Sequence, residues 1–175
     1  APSDLDSLWQ IQRELPDAQL IAGSTDVGLW VNKSHARFNG VIDLGKVQAL
    51  RHIEKDTCAL TIGAGVTLAE SIAPLSALAS DLGPLLHRFG SRQVRAQATV
   101  GGNIANGSPI GDLAPALIAL AASVHLASAN GERAYECHRK SGRRSSPKAS
   151  VARYGQWVSC ATGYLGSARS KTMST

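Results

Sequence analysis

One stretch, Thr99 to Asp112, constrains this chain more than any other. It reads Thr-Val-Gly-Gly-Asn-Ile-Ala-Asn-Gly-Ser-Pro-Ile-Gly-Asp, with four glycines and a proline, and the apolar run Leu113–Ala122 follows at once. Glycines packed this densely let backbone amides approach a phosphate or a flat ring with no Cβ in the way. Asp112 is placed to cap the helix that the apolar run implies. A single glycine-rich loop is an ordinary connection. Here a second one, Ala22-Gly23-Ser24-Thr25-Asp26, lies upstream, also between a strand-like run and a helix-like one.

With 175 residues, 43% of them hydrophobic and 18% charged, the chain reads as one globular domain or two small lobes. No stretch is apolar for long enough to cross a bilayer, and Ala1-Pro2-Ser3-Asp4 is no basic-then-apolar leader, so no membrane association is expected. Cys58, Cys137 and Cys160 lie far apart with no Cys-x-x-Cys pair. They make neither a metal-ligand set nor a disulfide framework, and a reducing cytoplasm is the expected location. The five histidines, His35, His52, His87, His125 and His138, are scattered singly and read as surface or packing residues. Trp9 and Trp30 read as core.

A net charge of +5 would point to nucleic acid if it were spread over the fold. Its distribution argues otherwise. Residues 1–132 hold nine Lys/Arg against twelve Asp/Glu, whereas residues 133–175 hold nine Lys/Arg against Glu136 alone. The body is mildly acidic, and no nucleic-acid face is expected on it.

The chain divides where the charge does. Up to Glu132 one punctuated element follows another. Ser3 caps a helix over Asp4–Leu15, Gln19–Ala22 is a short strand, and a helix runs from Thr25 or Asp26 through Val31. Gly40–Leu44 is a strand, and Leu50–Lys55 and Ala59–Ala64 form a hairpin around Asp56-Thr57. Thr67-Leu-Ala-Glu70 is a capping box opening a helix. Helices are expected over Asp81–Phe89, with Pro84 in the first turn, and over Asp112–Ala122. Val124–Ala127 followed by Asn130-Gly131 announces another hairpin. From Ala134 onward no period of two or 3.6 persists, and residues 133–175 form a basic, low-pattern tail, read as disordered or foreign to the fold.

Leu20-Ile21-Ala22-Gly23-Ser24-Thr25-Asp26-Val27 is delivered by a strand and opens a helix, a geometry suited to a pyrophosphate. It has neither the Gly-Lys-Ser/Thr of a P-loop nor a Gly-x-Gly-x-x-Gly fingerprint, and Gly63-Ala64-Gly65 reads as a turn. In the second loop Gly101 and Gly102 can present successive amides, Asn103 can donate and accept, Ser108 adds a hydroxyl, and Asp112 suits a ribose or a ring N–H. Two such loops fit an elongated dinucleotide held between two lobes. Phe89, just before Arg92 and Arg95, can cover an aromatic ring, although the core is the commoner fate of a phenylalanine.

The pair of loops, continued through Leu113-Ala114-Pro115 and joined by Phe89-Gly-Ser-Arg-Gln-Val-Arg95 and Ile62-Gly-Ala-Gly-Val-Thr-Leu68, resembles the FAD-binding domain of molybdenum hydroxylases, most closely of the xanthine dehydrogenase type. The resemblance covers Leu5 to Glu132. It implies an α+β fold of the vanillyl-alcohol-oxidase or PCMH type, two small α/β lobes with FAD between them. Carried over, Leu20, Ile21, Ala22, Gly23, Ser24, Thr25, Asp26 and Val27 would wrap the pyrophosphate, and Phe89 would lie near the flavin ring. Thr99, Val100, Gly101, Gly102 and Asn103 would contact the flavin–ribityl region and phosphates, and Asp112 would bind through its carboxylate. The family passes electrons from a molybdenum centre through iron–sulfur clusters to FAD and on to NAD. The implied partners are therefore a molybdenum-binding large subunit and iron–sulfur domains, with molybdopterin and 2Fe-2S clusters outside this chain. The chain's task would be to hold and tune the cofactor, so no catalytic side chain and no metal ligand is named. Flavin subunits of carbon monoxide dehydrogenase and aromatic acyl-CoA reductases share the fold, and a non-catalytic remnant is the alternative of another class. On this reading residues 1–132 are an incomplete FAD-binding domain. Residues from Ala134 onward resemble translation of a GC-rich gene in a shifted frame.

Overall fold

An aspartate box starts the first helix, α1 (Leu5–Glu14). Asp4 Oδ1 accepts from the Ser7 N–H at 2.8 Å, and the Asp4 N–H is returned to Ser7 Oγ. Ser3, expected as the cap, instead donates its hydroxyl to Asp4 Oδ2. The helix starts one residue later than the serine would place it, and the carboxylate is the stronger acceptor. The structure, a computed structural model, describes residues 1–57, 59–107, 111, 113–136 and 161–164, with Glu136 and the last four given by their backbone. Asp112, Ser108, the three cysteines and most of the expected tail lie outside the described residues.

Strand β1 (Gln19–Ile21), helix α2 (Thr25–Ser34) and strand β2 (Val41–Asp43) form a β–α–β unit in which β1 and β2 pair in parallel, Leu20 opposite Ile42. A parallel pair needs a crossover of this kind. Leu8 of α1 packs with Ile42, Leu44, Val47 and Leu50 into a first core, with Trp9 against it. Helix α2 contributes no side chain to that core and buries none of its residues. Trp30, expected inside, is therefore on the surface, 37% exposed.

The second lobe follows. Its elements are β3 (Ile53–Lys55), β4 (Ala59–Ile62), α3 (Leu68–Leu78), α4 (Leu82–Arg88), α5 (Arg92–Gln97), α6 (Val100–Asn106), α7 (Leu113–Ala119), β5 (Ser123–Ser128), β6 (Gly131–Glu136) and β7 (Ala161–Tyr164). The strands form an antiparallel sheet in the order β3-β4-β7-β5-β6. Leu60 and Ile62 of β4 enter a second core with residues of α3, α4, α6 and α7. The β5–β6 turn is Ala129-Asn130, one residue earlier than expected, since Ser128 pairs with Gly131. The returning strand continues to Glu136. Helices α5 and α6 were not expected. The stretch from Thr99, read as a loop, is helical from Val100 to Asn106 with Thr99 as its cap. Glycine's low helix propensity hides that helix, and tertiary contacts override the propensity.

The capping box expected at Thr67 is present: Thr67 Oγ1 accepts from the Glu70 N–H, and Glu70 Oε2 accepts from the Thr67 N–H and hydroxyl, both at 2.8 Å. Arg51 donates to Glu70 Oε1 at 3.0 Å. The Thr67 amide, then its hydroxyl, and to a smaller extent Arg51 hold the Glu70 carboxyl below the usual glutamate range. A carboxyl held low contributes stability above its unfolded-state value and loses it as pH falls through the lowered one. Thr67→Ala should cost about 1 kcal/mol in urea denaturation at neutral pH. Glu70→Gln should flatten part of the acid-side loss of stability.

Candidate functional site

The chain leaves β1 at Ile21 and turns through Gly23 (φ +70°) and Ser24 (φ +55°), two successive left-handed residues, before α2 begins at Thr25. Gly23 is required twice over, by its φ and because a Cβ there would run into the Gln97 carbonyl at the end of α5. Ser24 stands at the N-cap but makes no side-chain capping bond. Among the described residues the amides of Thr25, Asp26 and Val27 take no cap bond, and they stand at the positive end of a ten-residue helix, where an anion is favoured.

The second glycine segment behaves differently. Its backbone is laced to residues 64–68: Leu68 N–H to Ala98 O (2.8 Å), Val100 N–H to Val66 O (2.9 Å) and Gly101 N–H to Ala64 O (2.9 Å). Gly102 N–H goes to Thr99 Oγ1 at 3.1 Å, and Asn103 N–H closes the first helical turn on Thr99 O. The first-turn amides that the spacing predicts as ligand donors are thus consumed within the protein. Gly101 is there for approach: a Cβ on it would lie 2.6 Å from Ala64 Cβ and 2.8 Å from Ala64 O.

The two segments meet. A cleft of about 60 Å³ runs between the lobes, lined by Leu20, Ile21, Ala22, Leu44 and Leu50 on one side and Ala64, Gly65, Gly101, Gly102 and Ala105 on the other. Ala22 O lies 3.4 Å from where a Cβ on Gly102 would be. None of these lining residues is charged, so recognition in the cleft rests on shape and backbone groups. Nearby, Asn103 Oδ1 is buried with no hydrogen-bond partner among the described residues. A buried acceptor of this kind costs free energy until a donor reaches it.

Of the residues expected from the sequence, Leu20, Ile21, Ala22, Gly101 and Gly102 line the cleft, Gly23–Val27 continue from it, and Thr99 and Val100 are buried behind it. Phe89 does not line it: it ends α4 and packs half-buried against the second core. Asp112 falls outside the described residues. Leu44, Leu50, Ala64, Gly65 and Ala105 were missed as lining residues. The Gly63-Ala64-Gly65 spacing was the available signal, and its reading as a turn is met by the bond from Val66 N–H to Gly63 O. Among the described residues no helix is long and apolar enough to cross a membrane.

Residues 1–139 match the family described as the FAD binding domain in molybdopterin dehydrogenase. Xanthine dehydrogenase of Drosophila pseudoobscura pseudoobscura is 33% identical over 141 residues, which are 74% of this chain and 10% of that protein. Quinoline 2-oxidoreductase of Pseudomonas putida 86 shares the fold with a TM-score of 0.79 at 20% identity, over 95% of this chain and 58% of that one. Carbon monoxide dehydrogenase of Hydrogenophaga pseudoflava does so with a TM-score of 0.78 at 21% identity and the same coverage. The chain thus spans a tenth of the curated relative it matches. The likeness to the solved structures fixes the architecture as the α+β, PCMH-type fold.

Gly101→Ala should lower stability by about 1–3 kcal/mol, the usual cost of forcing a methyl into a filled space, read as a lower urea midpoint at unchanged slope. Gly28→Ala, where a Cβ meets nothing within 4 Å, is the control and should raise the midpoint slightly.

Proposed function

Because this chain belongs to the FAD-binding domain family of molybdopterin dehydrogenases, its cofactor is FAD, and we propose that it lies across the cleft between the two lobes, which at about 60 Å³ takes only part of it. The observation that carries this assignment is the uncapped start of α2 beside a cleft floored by glycine and alanine. Three features fit the group. The amides of Thr25, Asp26 and Val27 can take the pyrophosphate, with Leu20–Gly23 following its path. Gly101 and Gly102 keep the floor low enough for the chain of the cofactor to pass. The orphaned Asn103 Oδ1 accepts from a donor of the flavin–ribityl part. Thr99 and Val100 support that floor from behind, and Asp112 adds a carboxylate on the ribose or ring side, while Phe89, packed on the second core outside the cleft lining, is assigned no contact.

Bound FAD supplies the electron relay between iron–sulfur clusters and NAD. This chain's residues bind and orient it, and none is needed as acid or base. We propose as the chain's parent a cytoplasmic oxidoreductase of the xanthine dehydrogenase type, acting in purine breakdown with a molybdenum-binding large subunit and iron–sulfur domains. The 33% identity to a xanthine dehydrogenase supports this parent over a carbon monoxide dehydrogenase. The strand β6 and the family match carry the fold past Ala134, to Glu136 and to residue 139, so we propose a shifted frame only for residues after 139. Another frame of the coding DNA should then resume patterned strands, and absence of such a frame would end the idea.

The purified chain should carry one FAD, seen as flavin absorption and recovered as free FAD on heating. A colourless protein that takes up no added FAD would overturn the proposal. Asn103→Ala should weaken FAD binding roughly two- to tenfold, the worth of one hydrogen bond, measured by fluorescence titration of the apoprotein.

A further inference from the structure

The sheet of the second lobe is two hairpins joined by a strand from far along the chain. Strands β3 and β4 pair, β5 and β6 pair, and β7 lies between β4 and β5, antiparallel to both. The alternation of the ladder says which peptide groups meet β7. Gly63 N–H goes to His52 O and Asp56 N–H to Ala59 O, so Ala59, Thr61 and Gly63 face β3, while Leu60 and Ile62 face β7. Their partners there are Gly163 and Ala161, which leaves the peptide groups of Thr162 turned the other way, to Ser123 of β5. One short strand serves both neighbours.

An empty gap would leave one open edge on β4 and another on β5, and a two-stranded hairpin is marginal alone. Val124 and Leu126 of β5 are buried in a small core of their own, apart from the second core, and Ala105 of α6 packs against it. Ala105 also lines the cleft. Across β7, Ala161 stands opposite both Ile62, in the second core, and Val124, in the small one. The strand is therefore the ladder link between the two cores, and the smaller of them backs the cleft wall.

We propose that the gap between β4 and β5 is a strand-acceptor site, filled in this chain by its own Ala161–Tyr164, and that filling it holds the β5–β6 hairpin, and with it Ala105, at the cleft. Recognition is by main-chain hydrogen bonds, the mode in which an extended segment completes a sheet. Such a site asks for an N–H and a C=O at each position, so a stretch translated in a shifted frame satisfies it. The part of the proposal that concerns FAD rests on the cofactor lying across the cleft.

The test uses the full chain and three variants. Thr162→Pro lacks the N–H that meets Ser123 and has no place in a central strand, Thr162→Val keeps that N–H, and Ser170→Pro lies outside the strand. In the unaltered chain, nuclear Overhauser contacts should join the Hα of Thr162 to that of Thr61, and the Hα of Ala161 to that of Val124, the close, non-hydrogen-bonded pairs. Thr162→Pro should speed amide exchange at Leu60, Ile62 and Ser123 by about tenfold, the worth of a lost ladder bond, while Thr61, whose amide faces β3, changes less. It should also weaken FAD binding roughly two- to tenfold, the size of a coupling through packed neighbours, measured by fluorescence titration. Thr162→Val and Ser170→Pro should change neither. Absence of both Hα contacts, or exchange that Thr162→Pro leaves unchanged, refutes the acceptor site. Faster exchange with FAD affinity intact refutes the link to the cleft. A chain that binds no FAD in any form overturns the cofactor assignment, and exchange still decides the acceptor site. Should Thr162→Pro not fold, the Hα contacts of the unaltered chain decide it alone.

Discussion

Three backbone hydrogen bonds between residues 64–68 and 98–101 hold the rest of the site in register. Each contributes only about 1 kcal/mol net, but leaving such buried groups unpaired would cost more. They fix the distance between the turn after β4 and the start of α6. Gly65 N–H extends the lacing to Leu50 O, and so to the edge of the first core. The approach is close enough that Gly101 has no room for a side chain beside Ala64. Remove that closeness and the floor of the cleft lifts, the Ala22–Gly102 contact opens, and the two lobes lose their common surface.

The same lacing divides the labour between the two glycine segments. Both start helices, and both look from the sequence like places to bind phosphate. At α6 the first-turn amides are spent on Val66, Ala64 and Thr99. At α2 the cap makes no such bond, so its amides stay available. One segment is a floor, and we propose that the other is the binding end. An uncharged cleft meets a dinucleotide through shape and backbone donors, and a helix start offsets the phosphate charge without a lysine or arginine in the lining.

Much of this was legible in the sequence because its signals are local. The Thr67–Glu70 box, the β5–β6 hairpin and the Leu20–Val27 strand-to-helix turn each declare themselves within a few residues. What stayed hidden depends on distant partners. Helix α6 exists against the propensity of its glycines because Thr99 caps it and residues 64–66 take its amides. Trp30 is exposed because Leu8 of α1, thirty-four residues before Ile42 of β2 in sequence and packed with it in space, already fills that core. The cleft role of Ala64 and Gly65 could be seen only once their turn was set against Leu50 and Gly101. Asn103 was singled out for its chemistry, but its buried and unpartnered acceptor is a fact of three dimensions.

On the proposed function, FAD is gripped by the amides of α2 while those of α6 serve the protein. Amide-resolved hydrogen exchange of the chain with and without FAD tests it most directly. The amides of Thr25, Asp26 and Val27 should exchange freely in the apoprotein and gain strong protection with FAD, while those of Val100–Asn103 should be protected in both states. Free exchange at Val100–Asn103 that FAD suppresses, with no change at Thr25–Val27, would contradict it.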